Sequence, residues 1–416
     1  MNTDLARTPR LTLGRDQIRV LLLEGIHEVA ADYLADRGYT NVQRESGARS
    51  RDDLRTALRD AHVIGIRSRT QLDAELLKEA RRLFAVGCFC IGTNQVDLAA
   101  AANEGIAVFN APHSNTRSVA ELVIGLAVML FRDVFRKSAG AHAGQWLKTA
   151  AGAHELRGKT IGIVGYGHIG SQVSVLAEAL GMHVVFHDIQ PILALGNASA
   201  QSGLVDVLRQ SDLVTLHVPD TPDTHGLIGA PELARMKPGS HLINASRGTV
   251  VDGEALAEAL KSGHLGGAAV DVFQQEPRSA SETFESPLRG IPNVILTPHV
   301  GGSTIEAQES IAVDVATKLV SYSDSGSTIG AVNFPQLNLP ANENCHRVLH
   351  VHRNAPRVIA QINELLSAHG ANILGQHLQT RADIGYVVVD VDGIEAETAL
   401  PKLRGIPGTL RTRILY

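Results

Sequence analysis

The stretch Lys159–Gly170, KTIGIVGYGHIG, constrains what this chain can fold into more than any other. A mostly apolar run from Ile161 to Gly165 leads into a glycine-spaced turn, and an apolar-periodic segment follows. That order predicts strand, tight turn, helix. Gly165, Gly167 and Gly170 fit G-x-G-x-x-G. The first glycine permits the turn, the second lets a pyrophosphate approach backbone N–H groups, and the third lets helix and strand pack closely. Such a turn alone often only punctuates structure, but here its context supports it. The helical run Ile169–Leu180 ends at Gly181, and a second apolar run, His183–His187, stops at Asp188. An acid about 20 residues beyond the glycines is placed to hold a ribose hydroxyl and to repel a 2′-phosphate. The reading is a dinucleotide site for NAD rather than NADP.

A chain of 416 residues calls for two or three domains. Strands are expected at Ile18–Leu23, His62–Ile66, Leu83–Ile91 and Ile106–Phe109, alternating with helical segments. This is the pattern of an α/β fold with a parallel sheet, whose ligands sit beyond the carboxyl ends of the strands. The second of these strands ends in Arg67-Ser68-Arg69, two arginines placed to meet an anionic substrate. Ser118–Leu130 is apolar on nearly all sides, with Ser118 and Glu121 spaced as a capping box, and reads as a helix buried between domains or subunits. The single tryptophan, Trp146, is expected at an interface. Residues 1–17 read as a loose polar extension.

Beyond the nucleotide motif, three strands end in chemically active residues. His241–Ala245 runs into Ser246-Arg247, Ala268–Phe273 into Gln274-Gln275-Glu276, and Val294–Thr297 into Pro298-His299. Loops at one sheet edge collect together, so an arginine, a glutamate and a histidine can converge. Hydride transfer from a secondary alcohol needs a base poised near neutrality, which histidine supplies. A carboxylate at Glu276 would orient the His299 ring and stabilise its imidazolium. Arg247 offers a fork of donors for a substrate carboxylate. No C-x-x-C or carboxylate cluster suggests a catalytic metal, and no G-x-S-x-G elbow suggests a hydrolase.

From Thr304 a helix is expected to about Ser321, broken by SYSDSGST, and residues 333–344 read as a polar linker. The order strand, helix, strand, strand, helix, strand over His346–Leu415 then predicts a ferredoxin-like βαββαβ domain. A net charge of -5 argues against a general nucleic-acid or anionic-membrane binder. A polar N-terminus, no apolar run of ~18 residues and only three cysteines fit the cytoplasm. Cys88 and Cys90 read as packing residues.

Over Ile18 to Tyr416 the chain resembles the D-isomer-specific 2-hydroxyacid dehydrogenases that carry a C-terminal ACT domain. IGIRSRTQL from Ile64, GCFCIGTNQVDL from Gly87, FNAPHSNTRSVAELVIG from Phe109, GYGHIG from Gly165, INASRGTVVD from Ile243 and LTPHVGGST from Leu296 carry the resemblance. It implies a Rossmann-like substrate domain (residues 18–113 and 301–336), a Rossmann NAD-binding domain (114–300) and an ACT regulatory domain (345–416). It implies NAD-dependent oxidation of D-3-phosphoglycerate to 3-phosphohydroxypyruvate, the first step of L-serine biosynthesis, by a homotetramer. Arg247 would bind substrate, Glu276 would partner the histidine, and His299 would be the acid–base. Gly165, Gly167, His168, Ile169, Gly170, Asp188, Ala245, Ser246, Arg247, Asp271, His299, Val300, Gly301 and Gly302 would line NAD. Arg67, Ser68 and Arg69 would meet the substrate phosphate.

Two alternatives stand beside this reading: reduction of 2-oxoglutarate to 2-hydroxyglutarate, and a non-catalytic NAD-sensing corepressor. The resemblance also implies an L-serine effector site at His352, Asn354 and Asn372. Serine-inhibited relatives have a Gly-Gly hinge and a glycine after the proline of H-x-N-x-P-G. Here the linker reads ANENCHR and Arg357 stands in that glycine's place, so weakened or altered serine inhibition is expected.

Overall fold

The structure, a computed structural model, describes residues 13–277, 282–342, 345–393 and 396–415. The first 12 residues of the predicted extension, and 343–344 of the predicted linker, lie outside them. The chain divides into two compact units, residues 1–114 with 308–416, and residues 115–307.

The first unit opens with β1 (Val20–Leu22), α1 (Val29–Ala35), β2 (Val42–Arg44), α2 (Arg51–Leu58) and β3 (Val63–Ile66). Then come α3 (Ala74–Glu79), β4 (Ala85–Cys88), α4 (Leu98–Asn103) and β5 (Ala107–Asn110). The five strands form a parallel sheet in the order β2-β1-β3-β4-β5. β1 and β3 to β5 are fully buried, as short apolar runs between polar turns should be. β2 was not foreseen, because an exposed edge strand with Gln43 and Arg44 carries no apolar run. Ser50, Asp73 and Asp97 start α2, α3 and α4, each side chain accepting a backbone N–H three residues on. Cys88 is buried in this core.

The second unit contains α5 (Thr116–Arg132), α6 (Val134–His142), β6 (Thr160–Val164), α7 (His168–Ala179), β7 (His183–His187) and β8 (Ser199–Ala200). It continues with α8 (Leu204–Gln210), β9 (Leu213–Leu216), α9 (Ala230–Leu233), β10 (His241–Asn244), α10 (Gly253–Lys261), β11 (Gly267–Val270) and β12 (Val294–Leu296). Its seven strands are parallel in the order β12-β11-β10-β9-β6-β7-β8. The chain winds one way from β6 and the other way from β9, so their junction is a topological switch point.

The capping-box reading of Ser118 and Glu121 is corrected. α5 begins at Thr116 with Asn115 as N-cap; the Ser118 hydroxyl bonds Thr304 Oγ1 at 2.8 Å, and Glu121 pairs with Arg117 at 2.6 Å. An i,i+4 ion pair on the exposed face has taken the acid. Within the chain α5 buries Val119, Val123, Leu126 and Leu130 but leaves Val128 exposed. Trp146 is 86% exposed and so has no packing site in its own chain.

The first unit resumes along α11 (Ile305–Ser325) and continues with β13 (His346–Arg353), α12 (Val358–Ala368), β14 (Asn372–Arg381), β15 (Ile384–Asp392), α13 (Ala396–Arg404) and β16 (Thr409–Leu415). β13 to β16 form an antiparallel sheet in the order β14-β15-β13-β16, the predicted βαββαβ arrangement. Two expectations fail here. α11 runs on through Ser323, Asp324 and Ser325, because Tyr322 is buried and Asp324 accepts the Tyr39 hydroxyl at 2.6 Å and Arg15 Nε at 3.1 Å. The described part of the predicted linker is packed rather than loose: Phe334, Leu337 and Leu339 are buried, and Thr328 Oγ1 bonds the Pro335 carbonyl and the Leu337 N–H.

One apolar cluster joins Phe84, Phe109, Tyr322 and Phe334 to Leu349, Val351, Tyr386 and Leu415 of the C-terminal sheet. Polar contacts reinforce it. Tyr386 donates to the Gly326 carbonyl at 2.6 Å, and Arg411 to that of Glu104 at 3.0 Å. The buried Arg347 grips Asp390 with two nitrogens (2.6 and 2.8 Å) while donating to the carbonyls of Ser325 and Pro340.

Candidate active site

The glycine turn sits at the switch point of the second sheet, after β6 and against the end of β9. Gly165 has φ +88°, and a Cβ there would strike the His217 carbonyl. A Cβ on Gly170 would strike the Gly165 carbonyl, which is the close helix–strand packing expected of the third glycine. Gly167, the N-cap of α7, faces open space, so an anion can approach the helix start beside His168 and Ile169. Asp188 follows β7 and accepts the Tyr166 N–H at 2.7 Å from the middle of that turn, and the Gln190 N–H at 2.9 Å. The acid and the glycines therefore meet. An open second glycine at a helix start and an adjacent carboxylate suit a dinucleotide.

His299 and Glu276 come from different strand ends and form a hydrogen-bonded pair. Nδ1 of His299 lies 2.9 and 3.1 Å from the two Glu276 oxygens. Oε1 of Glu276 also accepts the Phe273 N–H at 3.1 Å, which fixes the carboxylate from the other side. The hydrogen bond that His299 donates to Glu276 raises the His299 pKa, overcoming the opposing effect of burial. Burial tends to raise the Glu276 pKa, but the bonds from His299 and the Phe273 N–H outweigh it and hold the group below its ordinary value. Arg247 is near enough for its charge to act on both members of the pair. Its own Nη1 donates to the Ser246 carbonyl at 2.7 Å. A Cβ on Gly248 would strike the Phe273 backbone, so the arginine turn and the glutamate turn are in direct contact.

Another histidine at a strand end, His217, is half-buried, and desolvation of its ring pushes it down to about 3. It stays neutral and is no rival proton donor.

Some residues that hold this geometry were not singled out as such from sequence. Asp271 is buried, and its carboxylate accepts Thr297 Oγ1 (2.6 Å), Val300 N–H (2.9 Å) and Gly301 N–H (2.8 Å), while its carbonyl accepts the His299 N–H (2.8 Å). It therefore shapes the turn that presents His299, whose φ of +53° is unusual for a side chain with a Cβ. Gly302 packs against Asn115. Asn244 does the same service for Ala245 to Arg247: it accepts the Ser246 N–H and hydroxyl and donates to the Arg247 carbonyl. No spacing rule marks these residues, because each acts on backbone rather than on a ligand.

Arg67, Ser68 and Arg69 follow β3 in the first unit, with Ser68 and Arg69 exposed. The three effector candidates are not gathered into one place in a single chain. His352 on β13 is buried, with Nδ1 3.4 Å from that of His350; Asn354 is exposed, and Asn372 opens the edge strand β14, with β15 lying between β13 and β14. Arg357 is the N-cap of α12 at φ +76°, a conformation glycine adopts without strain. Among the described residues no group of three His, Cys, Asp or Glu is placed to hold a metal ion, and no helix is long and apolar enough to cross a membrane.

Comparison with known proteins extends the pattern. The family model "D-isomer specific 2-hydroxyacid dehydrogenase, NAD binding domain" matches residues 124–301, and "AHAS small subunit-like ACT domain" matches residues 348–411. The chain is 54% identical over 409 residues to D-3-phosphoglycerate dehydrogenase of Escherichia coli K12, covering 98% of this chain and all of that one. It is 47% identical over 408 residues to the enzyme of the same name from Dictyostelium discoideum, again covering 98% and 100%. A solved D-lactate dehydrogenase from Aquifex aeolicus, complexed with NAD and lactic acid, superposes with a TM-score of 0.66 at 26% identity, covering 76% of this chain and 100% of that one.

Proposed function

Because the chain belongs to the D-isomer-specific 2-hydroxyacid dehydrogenases, we infer that it oxidises D-3-phosphoglycerate to 3-phosphohydroxypyruvate with NAD, the entry step of L-serine biosynthesis. The full-length identity to D-3-phosphoglycerate dehydrogenases supports the substrate, and the His299–Glu276 pair beside Arg247 supports the chemistry.

NAD supplies the hydride acceptor when bound. The chain's own residues do the rest. In oxidation Nε2 of a neutral His299 takes the hydroxyl proton; in reduction the imidazolium returns it. Glu276 fixes which ring nitrogen faces the substrate, since it occupies Nδ1, and stabilises the charge that forms. Arg247 takes the substrate carboxylate and polarises the forming carbonyl. Asp188 takes ribose hydroxyls. Arg67 and Arg69, with Ser68, take the phosphate.

The cell compartment is proposed as the cytoplasm and the assembly as a homotetramer, with the exposed edge strand β14 available for pairing between C-terminal domains. For the effector, an arginine at the start of α12 replaces a residue beside which a small zwitterion would approach backbone. Serine inhibition is therefore weakened.

A steady-state NADH-oxidation assay with 3-phosphohydroxypyruvate, run beside 2-oxoglutarate with and without L-serine, tests each part. Rapid turnover of the phosphorylated acid that ignores serine is the expected outcome. Turnover of 2-oxoglutarate alone would keep the mechanism and overturn the substrate. Suppression by sub-millimolar serine would overturn the effector reading.

A further inference from the structure

The first sheet has its own switch point, between β1 and β3, where the chain winds one way to β2 and the other to β4 and β5. Two segments meet beyond that point: Glu24, just after β1, and the turn Arg67–Thr70, just after β3. Glu24 is 3% exposed and has φ +60°, in the left-handed region. Its backbone is held there from both sides, its N–H on the Gly47 carbonyl at 3.0 Å and that of Gly25 on the Glu45 carbonyl at 2.9 Å. An over-determined conformation of this kind points to a function for the side chain it aims.

That side chain takes all three converging donors of the arginine turn. Oε1 accepts the N–H groups of Arg67 (3.2 Å) and Thr70 (2.8 Å), and Oε2 accepts that of Arg69 (2.9 Å). The turn is also held by its carbonyl: Gln95, itself buried, donates Nε2 to the Arg67 carbonyl at 2.7 Å. Burial opposes ionisation of Glu24, but the hydrogen bonds from Thr70, Arg69 and Arg67 prevail and keep the carboxyl below its ordinary range. Convergent backbone N–H groups form a concavity that binds anions. Here an internal carboxylate already fills it, while among the described residues neither the Arg67 nor the Arg69 guanidinium makes a hydrogen bond or ion pair.

We propose that Glu24 is a positioning residue for phosphate recognition: it fills the backbone anion nest of the turn, so that the turn reads the phosphate through its side chains, Arg67 and Arg69 above all, and not through its backbone. The inference rests on the assignment of those arginines to the substrate phosphate. It explains why a carboxylate stands directly behind an anion-binding turn. Its charge is spent on backbone, and it sets the direction in which two cations project.

Glu24→Gln keeps the volume but turns an NH2 group against one of the three N–H donors. In the full-length enzyme it should raise KM for 3-phosphohydroxypyruvate about tenfold, leave kcat within about threefold and leave KM for NADH unchanged. In an Arg69→Ala background the same change should raise KM by less than about threefold, since it acts through that arginine. Glu24→Asp, which retains the charge, should recover part of the affinity, and it serves as the readable variant if the glutamine form fails to fold. An unchanged KM for 3-phosphohydroxypyruvate, or a fall in kcat that matches the KM effect, would overturn the inference, the latter by showing a merely structural role. If Arg67→Ala and Arg69→Ala leave KM unchanged, the phosphate assignment itself falls, whatever Glu24 does.

Discussion

Nδ1 of His299 sits 2.9 Å from Oε2 of Glu276, and the same carboxylate is tied through Oε1 to the Phe273 N–H. The imidazole thus has one nitrogen committed to an anchored acid, and the proposed mechanism uses the other on substrate. The raised His299 pKa sets the pH dependence: reduction needs the imidazolium, so kcat/KM for reduction is high at low pH and falls as pH rises through a value above 6.5. Oxidation follows the opposite limb. Glu276→Gln removes the stabilising charge, shifts that limb to lower pH and slows turnover about 10²-fold. A pH–rate profile that does not move would sever Glu276 from the titration. The same shifts act on stability. Glu276 contributes above its ordinary value of 4.5 and loses that contribution as pH falls through its lowered pKa, whereas His299 contributes below 6.5 and loses it as pH rises through its raised one. Glu276→Gln should therefore lower the melting temperature most between those two pH values.

Asp188, proposed to take ribose hydroxyls, also accepts the Tyr166 N–H and so fixes the glycine turn. Asp188→Ala should relax discrimination against NADP and, in addition, raise KM for NAD about tenfold. Kinetics with both dinucleotides separate the effects. A rise in KM for NAD with the preference unchanged would assign Asp188 to the turn and not to the ribose.

The buried Arg347–Asp390 pair is a further test. Asp390→Ala leaves a buried guanidinium still bonded to the Ser325 and Pro340 carbonyls but without its counter-charge, and should destabilise the protein by about 3 kcal/mol. Replacing both partners by apolar residues should cost far less. Denaturant unfolding of the single and double variants distinguishes a charge stranded by its partner's loss from a simple loss of packing.

Arg357→Gly restores the residue type that suits φ +76° and clears the start of α12. It should lower the serine concentration needed for half-inhibition at least about tenfold. No change in the inhibition curve would shift attention to the glycine-free linker.

Sequence made the glycine turn and the strand-end triad legible because both rest on local order: an apolar run, then the residue that matters. Asp271, Asn244 and Glu24 had no such signature as shapers of turns. Each is one acid or amide at or just beyond a strand end, identical in type to ordinary turn residues, and its role exists only through the backbone groups that it bonds. Asp271 is expected at the nucleotide, and in the structure its two oxygens accept bonds from Thr297, Val300 and Gly301. The SYSDSGST stretch misled for the converse reason. Its composition reads as a breaker, but the burial of Tyr322 and the bonds to Asp324 overrode weak local preference. The polar segment after Asn333 misled likewise, since its few apolar residues, Phe334, Leu337 and Leu339, all point inward.

The continuous cluster of Phe84, Tyr322, Phe334 and Tyr386 makes the C-terminal domain a wall of the first unit and not a cassette plugged into it. A chain cut near residue 340 would present a raw aromatic face to water, and grafting this domain onto another enzyme would require transplanting the face that receives it. The domain and the unit that carries it therefore share one core, and neither can change at that face without the other.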